Sequence, residues 1–266
     1  MSILDTIITA KKQEVAERKT SIPVSQLEKS PYLSITPPSM RYSLQESFTN
    51  SIIAEFKRRS PSRGDINIHA DVKSTTRSYA AGGASGISVL TDATFFGGSW
   101  EDLDAAIQWG TPVLCKDFMI DEYQLLEARA HGASVILLIA SCLSPERVKQ
   151  LSSAARAMDL EVLLELHDAS ELDHLHPSVN MVGINNRNLK NFEVNIQQSM
   201  DLIAQLPEDV PAIAESGIQS IEAILQLEKA GFQGFLIGEH FMKQPDPGAA
   251  FLSFSAELKR IRPSLS

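Results

Sequence analysis

Five short apolar runs in this 266-residue chain break their pattern near their C-terminal ends with groups that can carry charge or exchange protons. Alternate side chains of a strand share a face. Glu55 and Lys57 therefore lie with Ile53, Lys116 and Phe118 with Leu114, Glu165 with Leu163, Asn185 and Arg187 with Gly183, and Glu215 with Ile213. Carboxylates beside lysines are equipment for proton transfer, and lysine or arginine holds an anion. One Lys or Glu at a strand end is ordinarily the solvated start of a loop. A ring of Glu55, Lys57, Lys116, Glu165, Arg187 and Glu215 is costly to bury unless its members pair or meet a charged ligand, so together they are read as a site.

A second signal follows the last two runs. Ser216 and Gly217 come after Glu215, and Gly238 and Glu239 come after the apolar stretch 235–237. Glycines there let backbone N–H groups approach a phosphate, or merely make tight turns. Glu239 would have to turn its carboxylate away and offer only its backbone. His69, His131 and His167 lack partners at metal-ligand spacing, and His174 and His176 read as a polar loop before Pro177, so no metal site is expected. Phe95 and Phe96 read as core, or as one apolar wall of the mouth.

These groups need a frame that brings strand ends together. Eight apolar runs, each bounded by Gly, Pro or Asn, span 51–57, 86–91, 112–118, 134–140, 161–167, 181–187, 211–217 and 234–240. Helical periods at 71–81, 100–108, 122–130, 145–158 and 220–229 lie between them. Such alternation predicts an α/β fold, a parallel sheet closed as a (β/α)8 TIM barrel, with catalytic groups on the C-terminal rim. The runner-up, an open doubly wound sheet, would show a Gly-rich turn after its first strand, where this chain has Arg58, Arg59, Ser60 and Pro61. One barrel domain over 1–266 is expected, with 1–50 as an N-terminal extension. Its first twenty residues predict an amphipathic helix with Ile3, Leu4, Ile7, Ile8 and Val15 as its stripe, followed by an irregular lead-in. A barrel would need no cap below its first strand, so the extra helix is expected to rest against the barrel.

Composition narrows the function. Against 33 Asp and Glu stand 24 Lys and Arg, a formal charge of -9, which argues against a nucleic-acid partner. No stretch is long and apolar enough to span a bilayer, and the N-terminal segment lacks the uninterrupted apolar centre of a signal peptide. Cys115 and Cys142 form no disulfide framework, and a cytoplasmic setting is expected.

Six strings then carry a resemblance: IIAEFKRRSPS at 52–62, ISVLTDATFFGGS at 87–99, PVLCKDFMID at 112–121, VGINNRNL at 182–189, AESGI at 214–218 and FLIGEHFM at 235–242. In these the chain resembles the indole-3-glycerol phosphate synthase family of tryptophan biosynthesis. The resemblance implies a carbon–carbon lyase without a cofactor. It acts on a small phosphorylated substrate, 1-(2-carboxyphenylamino)-1-deoxyribulose 5-phosphate, closing a ring with loss of CO2 and water. By position it implies Lys116 as general acid, Lys57 beside the substrate carboxylate, and Glu55 and Glu165 as acid/base carboxylates. Asn185 and Arg187 would orient substrate, and Glu215 would support the lysines. Ser60 joins the substrate contacts; Phe96, Phe118, Leu137 and Leu189 would be walls; Ser216, Gly217, Gly238 and Glu239 would lie at the phosphate. It further suggests that the N-terminal helix covers the mouth, and that the protein associates with other enzymes of the pathway. Arg63 stands where the family often has Lys. A neighbouring phosphate-binding barrel, such as an isomerase of phosphoribosylated substrates, would need a Cys or Asp acid/base pair on the rim, which the two lysines disfavour. Turnover is expected to persist after exhaustive dialysis against EDTA; loss of activity restored by one divalent ion would reverse that expectation.

Overall fold

The computed structural model describes residues 3–46, 49–187 and 196–262. Its centre is a closed barrel of eight parallel strands: β1 (Ile52–Phe56), β2 (Gly86–Leu90), β3 (Val113–Lys116), β4 (Val135–Ile139), β5 (Glu161–Leu166), β6 (Met181–Asn185), β7 (Ala212–Glu215) and β8 (Gly234–Ile237). Each pairs with its sequence neighbours, and β8 pairs with β1 through Ile52 opposite Phe235 and Ala54 opposite Ile237. All eight expected runs are strands. The predicted runs overshoot by one to three residues at every C-terminal end, because the side-chain alternation continues past the point where the ladder stops.

Helices cover the outside, and their starts are written in capping residues. Asp71, Ser99, Asp121, Ser144, Ser220 and Asp246 each accept a hydrogen bond from the first turn of the helix that follows. The predicted starts at 71 and 220 fall on these caps rather than on helical residues. The alternation is incomplete at one point: β5 and β6 are joined by a 3-10 segment, Ala169–His174, instead of an α-helix. Between barrel and helices lies a large apolar cluster built from the outward faces of the strands.

Inside the barrel the odd strands fill one layer with Ile53, Leu114, Leu163 and Ile213. One pleat further on, the same strands present Glu55, Lys116, Glu165 and Glu215. Four side chains per layer from alternate strands is the ordinary filling of such a barrel. Here the upper layer is ionisable.

The lower end is closed from outside the barrel, contrary to the expectation that no cap was needed. The lead-in is also more regular than expected, with helices Val24–Leu27 and Met40–Gln45 and a 3-10 turn, Pro31–Ser34. Met40 and Leu44 enter the interior cluster. A Cβ on Gly86 would meet Met40 Cε at 2.4 Å, and one on Gly234 would meet Leu44 Cδ2 at 2.9 Å, so two strand-entry glycines make room for the plug. The carboxylate of Glu161, at the start of β5, accepts hydrogen bonds from the N–H groups of Met40 (2.8 Å) and Arg41 (3.1 Å), placing negative charge at that helix's N-terminus.

The N-terminal helix, Ile3–Ser21, lies at the other end, over the mouth, where Ile3, Leu4 and Ile7 line the cavity. Its buried positions are Ile7, Lys11 and Val15, so the expected apolar stripe is interrupted by a lysine. Val15 packs with Leu27, Tyr123 and Ala130 in a small separate cluster. Arg18 pairs with Glu127 at 2.9 Å, Lys19 pairs with Asp121 at 2.7 Å, and Tyr123 Oη donates to the Ile22 carbonyl at 2.8 Å. No helix among the described residues is long and apolar enough to cross a membrane.

Truncating the plug at Met40→Ala is expected to cost about 2–5 kcal/mol in urea unfolding, as for buried Met elsewhere. Because the plug lies at the end opposite the mouth, kcat/KM should stay within about twofold of the parent.

Candidate active site

Lys116 leaves the end of β3 pointing into the barrel, where three carboxylates converge on it. Its Nζ is 3.5 Å from Glu215 Oε2, 3.7 Å from Glu55 Oε2 and 3.9 Å from Glu165 Oε2. All three glutamates are nearly sealed from solvent, at 2% exposure for Glu55, 3% for Glu165 and 1% for Glu215. Lys57, just past β1, pairs with the other oxygen of Glu55 at 2.5 Å. Asn185 Nδ2 donates to Glu165 Oε1 at 2.9 Å, and His167 Nε2 lies 3.3 Å from the same oxygen.

Two glycines make this packing possible. A Cβ on Gly183 would stand 2.0 Å from Glu215 Oε1, and one on Gly238 would stand 2.5 Å from Glu55 Oε1. Gly238 therefore does more than make a turn or expose an amide; it vacates the space that the Glu55 carboxylate fills.

The protonation balance follows from burial. Burial alone would lower the pKa of Lys116, but Glu215, Glu55 and Glu165 outweigh it and hold the ammonium well above its ordinary range. Burial pushes Glu55 up, yet Lys57 and Lys116 pull harder, and the net shift is downward. Glu215 goes the other way. Burial and the charges of Glu165 and Glu55 overcome the attraction of Lys116 and push its carboxyl up to about 8. A proton on Glu215 removes one of the negative charges that would otherwise crowd around Lys116.

Around the barrel the cavity changes character. The arc after β2, β3 and β4 is apolar, with Leu90, Phe96, Phe118, Leu137 and Ile139; the rings of Phe96 and Phe118 are 6.1 Å apart between centroids. Across β6, β7 and β8 and the loop after β1, the lining turns to Arg187, Ser216, Gly217, Gly238, Lys243 and Ser60. At the end of β7 both Ser216 (φ 64°) and Gly217 (φ 75°) adopt left-handed backbone, which is uncommon for serine. Asn186 secures that turn, donating from its amide to the Ser216 carbonyl at 2.8 Å and from its backbone N–H to the Glu215 carbonyl at 2.9 Å. The Glu239 carboxylate is held by Arg63 at 3.2 Å and Arg187 at 3.4 Å.

The indole-3-glycerol phosphate synthase family model matches residues 4–254. The chain belongs to the indole-3-glycerol phosphate synthase family. A member from Bacteroides thetaiotaomicron is 45% identical over 253 residues, 95% of this chain and 97% of that one. One from Salinibacter ruber is 41% identical over 265 residues, 98% of each chain. Among solved structures, tryptophan synthase subunit alpha from Legionella pneumophila has TM-score 0.60 at 14% identity, covering 83% of this chain and 95% of that one. Thiamine phosphate pyrophosphorylase from Pyrococcus furiosus has TM-score 0.59 at 14% identity, covering 84% and 98%. At such identity the last two speak for the barrel alone.

Within this family member, the residues singled out from the sequence gather around one cavity: Glu55, Lys57, Ser60, Phe96, Lys116, Phe118, Leu137, Glu165, Asn185, Arg187, Glu215, Ser216, Gly217, Gly238 and Glu239 all line it. Leu189 lies outside the described residues. Sequence reasoning missed Lys11, His167, Asn186 and Lys243. His167 had a legible signal, since it continues the parity of Glu165 within the same run; Lys11 had one too, as the charged residue midway between Ile7 and Val15. Asn186 had none, because its amide meets the Ser216 carbonyl thirty residues away, and Lys243 had none, because it lies beyond the strand runs whose alternation marks the inward face.

The raised Glu215 pKa has a measurable sign. Between its ordinary value of 4.5 and about 8, the folded chain keeps a proton that the unfolded chain has released, so this group makes stability fall as pH rises through that window. Glu215→Gln cannot ionise. It is expected to lose less stability than the parent from about pH 5 to about pH 8.5, by on the order of 2 kcal/mol in urea unfolding.

Proposed function

We propose that the chain converts 1-(2-carboxyphenylamino)-1-deoxyribulose 5-phosphate into indole-3-glycerol phosphate, with loss of CO2 and water. The observation that carries this reading is the Lys116 ammonium among three carboxylates, set between an aromatic arc and an arc of hydroxyl, glycine and arginine groups. The substrate has the matching polarity: an aryl carboxylate at one end, a phosphate at the other and a carbonyl between them.

In the proposed mechanism the aryl ring lies against Phe96, Phe118 and Leu137, and the phosphate meets Ser216, Gly217 and the turn at Gly238 and Glu239. Arg187 turns toward it from its pairing with Glu239, while Ser60 and Asn185 orient the sugar. The ring carbon that bears the carboxylate attacks the carbonyl carbon, and the oxygen gathers negative charge. A lysine with a raised pKa is a weak acid toward a ketone, but an alkoxide is basic enough to take its proton, so Lys116 donates as the charge develops. Departure of CO2 leaves its bonding pair in the ring. Loss of the new hydroxyl then needs a second proton, supplied through Lys57. Glu165 or Glu55 accepts the proton released as the pyrrole double bond forms. Glu215 holds Lys116 in place.

We also assign residues 1–50 to the same barrel domain as a cover, and we place the reaction in the cytoplasm, where free thiols such as Cys115 and Cys142 are ordinary. Association with other enzymes of tryptophan biosynthesis belongs to the same reading.

The direct test is the appearance of indole fluorescence when the purified chain meets the carboxyphenylamino substrate; absence of product refutes the activity. Lys116→Ala is expected to lower kcat at least about a hundredfold while inorganic phosphate still binds, because a donor to the transition state contributes little to the ground state. Near-normal kcat in that variant would remove Lys116 from its role.

A further inference from the structure

Lys11 is the charged residue on the buried stripe of the N-terminal helix, 1% exposed. Its Nζ lies 2.8 Å from an oxygen of each of Glu14, Asp92 and Asp117. Glu14 belongs to the same helix. Asp92 and Asp117 belong to the loops that leave β2 and β3, and both are buried, at 1% and 3% exposure.

These two aspartates organise the loops they sit on. Asp92 Oδ1 accepts from the N–H groups of Phe95 (2.6 Å) and Phe96 (3.3 Å), capping the short helix Ala93–Phe96. Asp117 Oδ1 accepts from the Phe118 N–H at 2.7 Å, and its Oδ2 accepts from Thr91 Oγ1 at 3.0 Å. The loops so fixed carry the two aromatic rings of the apolar arc. Asp117 also follows Lys116 directly in the chain. Burial works against the charge on Lys11, but Asp117 and Asp92 outweigh it and hold its pKa above the ordinary value.

A tether for the helix would not need this arrangement. Arg18, Lys19 and the carbonyl of Ile22 already fasten the outer part of the helix to the segment 121–127. What Lys11 adds is a bridge between two loops that otherwise bring two carboxylates together in a site sealed from water, where like charges repel strongly. We propose that Lys11 is a positioning residue for the reaction: through Asp92 and Asp117 it sets the loops after β2 and β3, so that Phe96 and Phe118 form a fixed wall for the substrate's aromatic ring. This rests on the synthase reading of the cavity.

The test compares Lys11→Met, Lys11→Arg, Asp92→Asn and Glu14→Gln with the parent, measuring kcat, KM for the carboxyphenylamino substrate, inhibition by inorganic phosphate and melting temperature. Lys11→Met is expected to raise KM at least about fivefold with a smaller fall in kcat, since the ring's resting place is lost before the proton donor is. Asp92→Asn should reproduce that rise, because an asparagine oxygen still caps the Phe96 turn while the ion pair is gone. It also decides the matter if Lys11→Met fails to fold. Lys11→Arg should recover part of the loss, and Glu14→Gln should leave both constants within about twofold, as Glu14 touches neither loop. Inhibition by phosphate should be unchanged throughout, because its arc lies across the barrel. If Lys11→Met and Asp92→Asn melt earlier but keep the parent KM, Lys11 only packs the helix and the proposal is overturned. A parent protein that makes no indole product would instead overturn the synthase reading, a result distinguishable from any ratio between variants.

Discussion

An ammonium surrounded by carboxylates inside a closed barrel is the interaction to which the rest of this structure answers. Removing one charge from water is expensive, and removing several is tolerable only if their signs and spacing cancel. Lys116 achieves this by reaching three glutamates that come from three different strands, each one pleat above an apolar residue of the interior. The barrel could not hold the three carboxylates without the lysine, nor the lysine without them. A proton kept on Glu215 reduces the repulsion among the carboxylates.

That constraint explains features that would otherwise look incidental. Gly183 and Gly238 have no side chains because the carboxylates of Glu215 and Glu55 already occupy those volumes. Asn185 turns its amide onto Glu165, offering a buried carboxylate a donor that adds no charge. Asn186 spends its hydrogen bonds on the backbone of β7 and the turn after it, where Ser216 sits in a backbone conformation that costs energy unless it is held. Within the barrel interior, charge is thus gathered at the rim, while the opposite end is closed by apolar Met40 and Leu44. Stability and chemistry are drawn from opposite ends of the same strands, in the manner of this architecture.

The rim itself is shared between rigid strands and loops that need fixing. Lys116, Glu165 and Glu215 lie on strands, whose positions follow from the ladder. Phe96, Phe118 and the serine and glycine groups lie beyond the strand ends, so their positions depend on hydrogen bonds that backbone N–H groups give to Asp92 and Asp117 and that the Asn186 amide gives to a backbone carbonyl. The loops after β2 and β3 each carry a buried aspartate, and Lys11 from the N-terminal helix meets both.

How much of this was legible beforehand depends on the range over which each feature is decided. Strand identity, inward parity and the rim position of Glu55, Lys57, Lys116, Glu165, Asn185 and Glu215 are local consequences of a two-residue period, and the sequence alone determined them. Eight such runs alternating with helical segments also determined the barrel, since parallel strands with right-handed crossovers have few other ways to close. The helix caps at Asp71, Ser144 and Ser220 are equally local. The plug of Met40 and Leu44, the choice of a 3-10 turn between β5 and β6, and the space ceded by Gly183 and Gly238 were decided only in three dimensions, because each depends on volume left by residues far away in the chain. The same holds for protonation. Glu55 and Glu215 are the same residue type at the same depth, yet one pKa moves down and the other up, because Glu55 has Lys57 as a second cation and Glu215 does not. Spacing along a chain says which side chains face inward; only the packed barrel says how much water and how many opposite charges each of them finds there.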